Sequence, residues 1–251
     1  MKTSYGRTHP GMVRSVNEDC FGTFAIGKAT LYVVCDGIGG QVGGKQASTM
    51  AMAVFSEFVR EHAGAIEPDE VPLAHIKRIM RAAACEASRR VRAAAQNDPS
   101  LEGMGSTLVA ALVTERRAYV LNVGDSRLYA IGHGGVEKVT RDHSYIQYLL
   151  DVGRITPEQV KELAGQNYIT QAIGAYDHAD GDFCALELTA YGVPTYLLLC
   201  SDGLYSMVSE DKMQRILLSD GELFEKIDAL IDAANDAGGT DNVTVVAVKV
   251  V

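Results

Sequence analysis

Five short segments of this 251-residue chain set carboxylates where an apolar strand stops or starts. They are Asp36 in Val34-Cys35-Asp36-Gly37-Ile38-Gly39-Gly40, Asp202 in Cys200-Ser201-Asp202-Gly203, and Asp241 in Gly239-Thr240-Asp241-Asn242. Glu18 and Asp19 end Arg14-Ser15-Val16-Asn17-Glu18-Asp19, and Asp125 lies in Asn122-Val123-Gly124-Asp125-Ser126-Arg127. A strand holds the carboxylate at its end rigidly, and a following glycine lets the backbone turn and bare its carbonyl. One Asp-Gly pair is usually a plain turn. Several gathered together repel one another strongly. A hard divalent cation relieves that repulsion, and donors that are all oxygen select Mg²⁺ or Mn²⁺ over zinc or copper. The glycines from Gly37 to Gly44 do not make a P-loop: Lys45 is followed by Gln46, and the spacing is not G-x-G-x-x-G.

The elements that must position these groups are legible. Residues 20–27 and 29–35 read as two strands joined by a short turn, and 106–113, 117–123 and 127–131 as three more, with turns at Gly124–Asp125 and near Gly132–Gly135. Further strands occupy 183–189, 194–200 and 243–250. Ala47, Met50, Ala51, Val54, Phe55 and Phe58 recur at helical spacing, as do Ile76, Met80, Ala83, Ala87 and Val91 within a helix over 73–95. Shorter helices are expected at 144–152, 209–218 and 221–236, and Thr156-Pro-Glu-Gln159 looks like a helix start. This order is not a βαβ alternation. Strand meanders with helices in pairs suggest two sheets face to face with helices outside.

Composition narrows the function. The net charge of −9 argues against nucleic acid and anionic membrane as partners. With 47% apolar residues the chain can bury a sizeable core. There is no run near the roughly 18 apolar residues of a membrane span, and the opening MKTSYGRTHPGMVRS lacks a secretory apolar stretch. Five cysteines without a CxxC pair argue against a disulfide framework or zinc knuckle. A cytoplasmic, reducing location is expected. With no repeat and no linker, one domain over 1–251 is the simplest organisation.

In order along the chain, RSVNED, VCDGIGG, GSTLVAAL, LNVGDSRLYAI, TRDHS, ITQAIG, CSDGL and GGTDNVTVV resemble the motifs of the PP2C (PPM) family of metal-dependent protein serine/threonine phosphatases, in its compact bacterial form. The resemblance runs from Gly11 to Val248. It implies an α+β fold, a central two-sheet antiparallel β-sandwich flanked by helices on both sides in four layers. It implies Mn²⁺ or Mg²⁺ as cofactor: two core ions activating a bridging water, with a possible weaker third. Asp36 would bridge the two ions, the Gly37 carbonyl would ligate one, and Asp202 and Asp241 the other. Glu18 and Asp19 would hold metal-bound waters, Arg14 would pair with the substrate phosphate, Asn242 would orient its neighbours, and Asp125 would serve the third site. His143 in TRDHS is expected to be structural. The implied partner is a phosphorylated protein, substrate of a cognate Ser/Thr kinase, and the expected state is a monomer.

Two departures stand out. Ile38 occupies the position where some relatives have a histidine as general acid, and Ser206 stands where many have a further aspartate for the third ion. Residues 145–168 are expected to form a flap, with Tyr145, Tyr148, Tyr168, Leu149 and Leu150 packed onto the sandwich or, alternatively, touching a phosphopeptide. Arg78, Arg81, Arg89 and Arg92 read as a solvated helix face, or as a docking surface for an acidic phosphoprotein. Two alternatives to the protein phosphatase remain: a pseudophosphatase binding module, and a two-metal phosphoesterase acting on small phosphorylated molecules. The first is weakened by the presence of Asp36, Asp202 and Asp241.

Overall fold

The computed structural model describes residues 2–160, 168–175, 179–188 and 195–250. Its strands are β1 (Ser4–His9), β2 (Cys20–Ile26), β3 (Ala29–Cys35), β4 (Gly37–Ile38), β5 (Gly105–Ser106), β6 (Leu108–Val113), β7 (Arg117–Val123), β8 (Arg127–Gly132), β9 (Gly135–Lys138), β10 (Asp182–Glu187), β11 (Tyr196–Cys200) and β12 (Val243–Lys249). Its α-helices are α1 (Gly40–Ala63), α2 (Leu73–Asn97), α3 (Tyr145–Asp151), α4 (Asp202–Tyr205), α5 (Glu210–Leu218) and α6 (Leu223–Asp236). One sheet runs β1-β12-β11-β8-β9 and the other β10-β7-β6-β3-β2. Neighbouring strands in both are antiparallel.

The side-chain alternation of the strands builds four layers. In β3, Tyr32 and Val34 face the other sheet, where they meet Leu197, Leu199, Val246 and Val248. Leu31, Val33 and Cys35 face α1 and α2, against Ala47, Phe55, Met80 and Ala87. In β11, Leu198 and Cys200 turn outward onto Leu217, Ile227 and Leu230 of α5 and α6. Strands covered on both faces need apolar residues at every position, which is why LYVVC and YLLLC show no polar alternation. The expected sandwich with helices on both sides is the fold observed.

Several boundaries differ from those the sequence pattern suggests. Helix α1 starts at Gly40, inside the glycine-rich stretch, because β4 pairs with β5 and ends the turn early. Strand β1 is not signalled by SYGRTH, whose side chains are half-buried or exposed; it is an edge strand recruited by β12. Strand β9 lies at the expected turn near Gly132–Gly135 and pairs only with β8. At the expected helix start, the Thr156 N–H does donate to Gln159 Oε1, at 2.9 Å. Residues 161–167 of the flap expected over 145–168, the last residue of the strand expected over 183–189 and the first of that expected over 194–200 lie outside the described residues. Among the described residues, no helix is long and apolar enough to cross a membrane.

Candidate metal centre

The acidic segments meet at one end of the sandwich because of which strands are neighbours. β11 delivers Asp202 and β12 begins just after Asp241; the two strands are paired, with Cys200 opposite Val245. β3 delivers Asp36 from the other sheet. The β7–β8 connection, which crosses between sheets, carries Asp125. Glycine lets the loops close in. A Cβ on Gly203 would stand 2.0 Å from the Asn242 carbonyl oxygen, so the Asp202 turn lies against the Asp241–Asn242 turn. Gly203→Ala must push these turns apart. We expect it to lower stability by about 1–3 kcal/mol, read as a lower urea midpoint, and to weaken Mn²⁺ binding in calorimetry.

Hydrogen bonds to the backbone fix each acidic residue. The Asp36 N–H donates to Thr107 Oγ1 (2.9 Å), and its carbonyl accepts from the Thr107 N–H (2.8 Å) and Ser106 Oγ (3.0 Å). Asn242 clamps the N-terminal loop: its Nδ2 donates to the Pro10 and Val16 carbonyls, both at 2.9 Å, and its Oδ1 accepts from the Glu18 N–H at 2.8 Å. Asp19 is fully buried and accepts from Ser201 Oγ at 2.7 Å, while Lys45 Nζ donates to its carbonyl at 2.8 Å. Sequence reasoning missed Thr107, Ser106 and Ser201. The Gly-Ser-Thr before β6 and the Ser before Asp202 are their only signal.

Electrostatically the site is crowded. The Asp36 carboxyl is pushed well above the usual carboxylate range by burial, then by Asp19, Asp202, Asp125 and Asp241. The Asp202 carboxyl is raised by burial and by Asp241. Burial pushes Asp19 up to about 6 and, with Asp202 and Asp142 adding to it, Asp125 up to about 7. Glu18 Oε1 and Asp19 Oδ1 are buried without a hydrogen-bond partner. Among the described residues, no three His, Cys, Asp or Glu side chains already close around one point. What the end of the sandwich presents is a set of mutually repelling oxygen donors within electrostatic reach of one another, some with orphaned atoms. Such a donor set fits hard divalent ions.

Around this cluster sit the remaining expected residues. Arg14 lies at the rim, its Nη2 2.7 Å from Asp241 Oδ2, an ion pair rather than a free guanidinium. Ser206 is exposed, and its N–H donates to the Asp202 carbonyl at 2.9 Å. The Asp125 carbonyl accepts from Tyr205 Oη at 3.0 Å, and the Arg127 guanidinium lies 3.5 Å over the Tyr205 ring, held by Asp142. His143 is buried; its Nδ1 accepts from the Gly124 N–H at 3.1 Å, which steadies the turn before Asp125.

The flap tyrosines do not pack onto the sandwich. Tyr145, Tyr148 and Tyr168 are 44%, 55% and 70% exposed. Helix α3 is only seven residues long and buries no side chain. It is tethered instead through its ends, by the Tyr145 N–H to the Tyr168 carbonyl (2.8 Å) and by Arg141 with Asp151. On α2, Arg89 and Arg90 both pair with Glu86, and Arg81 donates to the Gly181 carbonyl. A cavity of about 440 Å³ lined by α5 and α6 residues, among them Lys212, Arg215 and Lys226, includes none of the acidic site residues.

A protein phosphatase 2C family model matches residues 12–238. The chain belongs to the protein phosphatase 2C family. It is 35% identical over 244 residues to the serine/threonine phosphatase stp of Listeria innocua serovar 6a, covering 97% of this chain and 94% of that one. The crystal structure of serine/threonine phosphatase Stp1 from Staphylococcus aureus superposes with a TM-score of 0.87 at 30% identity, over 99% of this chain and 95% of that one. The catalytic domain of the serine/threonine protein phosphatase PstP, solved in complex with two manganese ions, superposes with a TM-score of 0.79 at 31% identity, over 98% and 97%. As a protein phosphatase 2C, the chain hydrolyses phosphoserine and phosphothreonine in proteins with divalent metal as cofactor.

Proposed function

We propose that the acidic end of the sandwich is the catalytic centre, with Asp36, the Gly37 carbonyl, Asp202 and Asp241 holding two Mn²⁺ or Mg²⁺ ions. The observation that carries this reading is the meeting of acidic strand ends: paired β11 and β12 set the Asp202 turn against the Asp241–Asn242 turn, β3 ends just before Asp36, and Glu18 Oε1 and Asp19 Oδ1 are buried without a partner. When bound, the ions acidify a water toward neutral pH and offset charge on the phosphoryl oxygens.

The chain's own residues do the rest. Asp36 and Asp202, whose carboxyls burial and neighbouring aspartates hold above the usual range, would hold the cations as carboxylates. Glu18 and Asp19, with one orphaned oxygen each, accept hydrogen bonds from water and orient it. Arg14 swings from Asp241 to the substrate phosphate, where a guanidinium fork matches two oxygens. Asn242 keeps the Arg14 loop and the Asp241 turn in register. Asp125 serves a weaker third site, to which Ser206 adds only a hydroxyl, a poor donor for a hard cation. The side chain of Ile38 cannot protonate the leaving serine or threonine oxygen, so that proton comes from water or from another group.

The unit is one catalytic domain over 1–251, acting as a monomer in the cytoplasm on phosphoproteins made by a cognate Ser/Thr kinase. The test is phosphopeptide turnover against a metal titration, with small phosphate esters alongside. We expect EDTA to abolish turnover, Mn²⁺ to restore it, and phosphopeptides to be the better substrates. Turnover that survives EDTA removes the metal centre. Preference for small esters makes the chain a small-molecule phosphoesterase instead.

A further inference from the structure

Two of the five cysteines are set face to face by the sheet, beside the acidic cluster. Cys20 opens β2, Cys35 closes β3, and the register places them directly opposite. Both side chains enter the layer against α1, whereas Tyr32 and Val34 turn the other way, so the two thiols share one face. Opposed residues in antiparallel strands stand about 4.5–5.5 Å apart at Cα, inside the roughly 4.4–6.8 Å that a disulfide spans. Cys85 is exposed on α2, Cys184 packs near the layer between the sheets, and Cys200 faces α5 and α6. The chain neighbours of the opposed pair are Asp19 and Asp36.

We propose that Cys20 and Cys35 form a reversible disulfide with hydrogen peroxide as oxidant, and that this bond loosens the metal centre. Peroxide converts the Cys20 thiol to sulfenic acid and leaves as water. The Cys35 sulfur then attacks the Cys20 sulfur, the S–O bond breaks, and a second water departs with the thiol proton. Two thiols are oxidised and one peroxide is reduced to two waters. Cys20 reacts first because it retains 9% exposure while Cys35 has none. Bond formation draws the sulfurs together to about 2.05 Å. The strand ends bearing Asp19 and Asp36 must follow, and Lys45 and Ser48 of α1, which hold the Asp19 and Glu18 carbonyls, are strained with them. Disturbing the groups that support metal ligands costs about 10–100-fold in affinity. That second half rests on the metal centre proposed above.

The test treats the full chain with hydrogen peroxide, blocks remaining thiols, and maps cross-links by mass spectrometry, with Mn²⁺ affinity measured by calorimetry before and after. The expected result is a Cys20–Cys35 link, Mn²⁺ binding weaker by about 10–100-fold, and recovery with dithiothreitol. Cys20→Ser and, separately, Cys35→Ser should bind Mn²⁺ like the parent, form no cross-link and keep that affinity after peroxide. Oxidation confined to Cys85 or Cys184, or equal weakening in both serine variants, overturns the proposal. A mapped link with unchanged Mn²⁺ affinity overturns its second half. An untreated chain that binds no Mn²⁺ overturns the metal centre instead, and the cross-link map then stands alone.

Discussion

Replacing Asp36 with asparagine is expected to remove metal-dependent turnover by about 10³-fold or more while making the metal-free protein more stable, not less. The two effects share one cause. Asp36 is the carboxyl most pressed by its surroundings: burial raises it first, and four other aspartates add to that. Without a cation, an ionised Asp36 opposes folding. Asparagine is nearly the same shape, keeps the backbone bonds to Thr107 and Ser106, and takes the charge away. The relief appears as a higher melting temperature in EDTA, at about 2–4 °C for each kcal/mol in a chain of this size. The same substitution removes the anion that two cations would share. A variant that melts lower and still turns over phosphopeptide with Mn²⁺ would deny Asp36 both roles. The conservative Asp36→Glu keeps the charge and misplaces it, so it should lose turnover without gaining stability.

The metal-free protein should lose stability as pH climbs from about 4 to 7, and Mn²⁺ should flatten that slope. Asp19 titrates at about 6 and Asp125 at about 7 in the folded chain, against 3.8 for an ordinary aspartate, and Asp36 and Asp202 are raised as well. A carboxyl whose folded value is raised keeps its proton in the folded state after the unfolded state has released it. The stabilisation is therefore complete below the unfolded value and fades as pH rises through the folded one. Each unit of separation is worth at most about 1.4 kcal/mol. Glu86, held at about 2 by Arg89 and Arg90, together with Asp98 and Asp151, slopes the other way, but only at the acid end, below an ordinary carboxylate value. Above pH 5 the buried aspartates govern. Mn²⁺ at a hundred times its dissociation constant adds about 2.7 kcal/mol per site, which is about 5–10 °C in melting temperature. Melting curves at pH 5 and 7.5, with EDTA and with Mn²⁺, decide the matter. A metal-free chain that melts higher at pH 7.5, or one indifferent to Mn²⁺, contradicts the crowded site.

Most of the scaffold is open to reading because it is local. Apolar runs rich in β-branched and aromatic residues mark β3, β6, β7 and β12, and three- and four-residue spacing marks α1 and α2. The strands that escape, β1 and β9, are polar edge strands whose only reason to be extended is a partner distant in sequence or across a tight turn. The exposed tyrosines of α3 escape for a related reason. An apolar side chain says that it could be buried, and only the neighbouring surface says whether it is.

The chain's spelling determined which carboxylates end strands, that their donors are all oxygen, and that the turns after Asp36 and Asp202 are glycine. Those properties belong to a few consecutive residues and to covalent geometry. Tertiary structure alone decided that strand ends from two sheets face one another, that Asp36 is crowded by four other aspartates, that Arg14 rests on Asp241 across 227 positions, and that Cys20 meets Cys35. Those are long-range pairings. They follow from the order and register of strands within two sheets, and no local pattern encodes the distance between two ends of a fold.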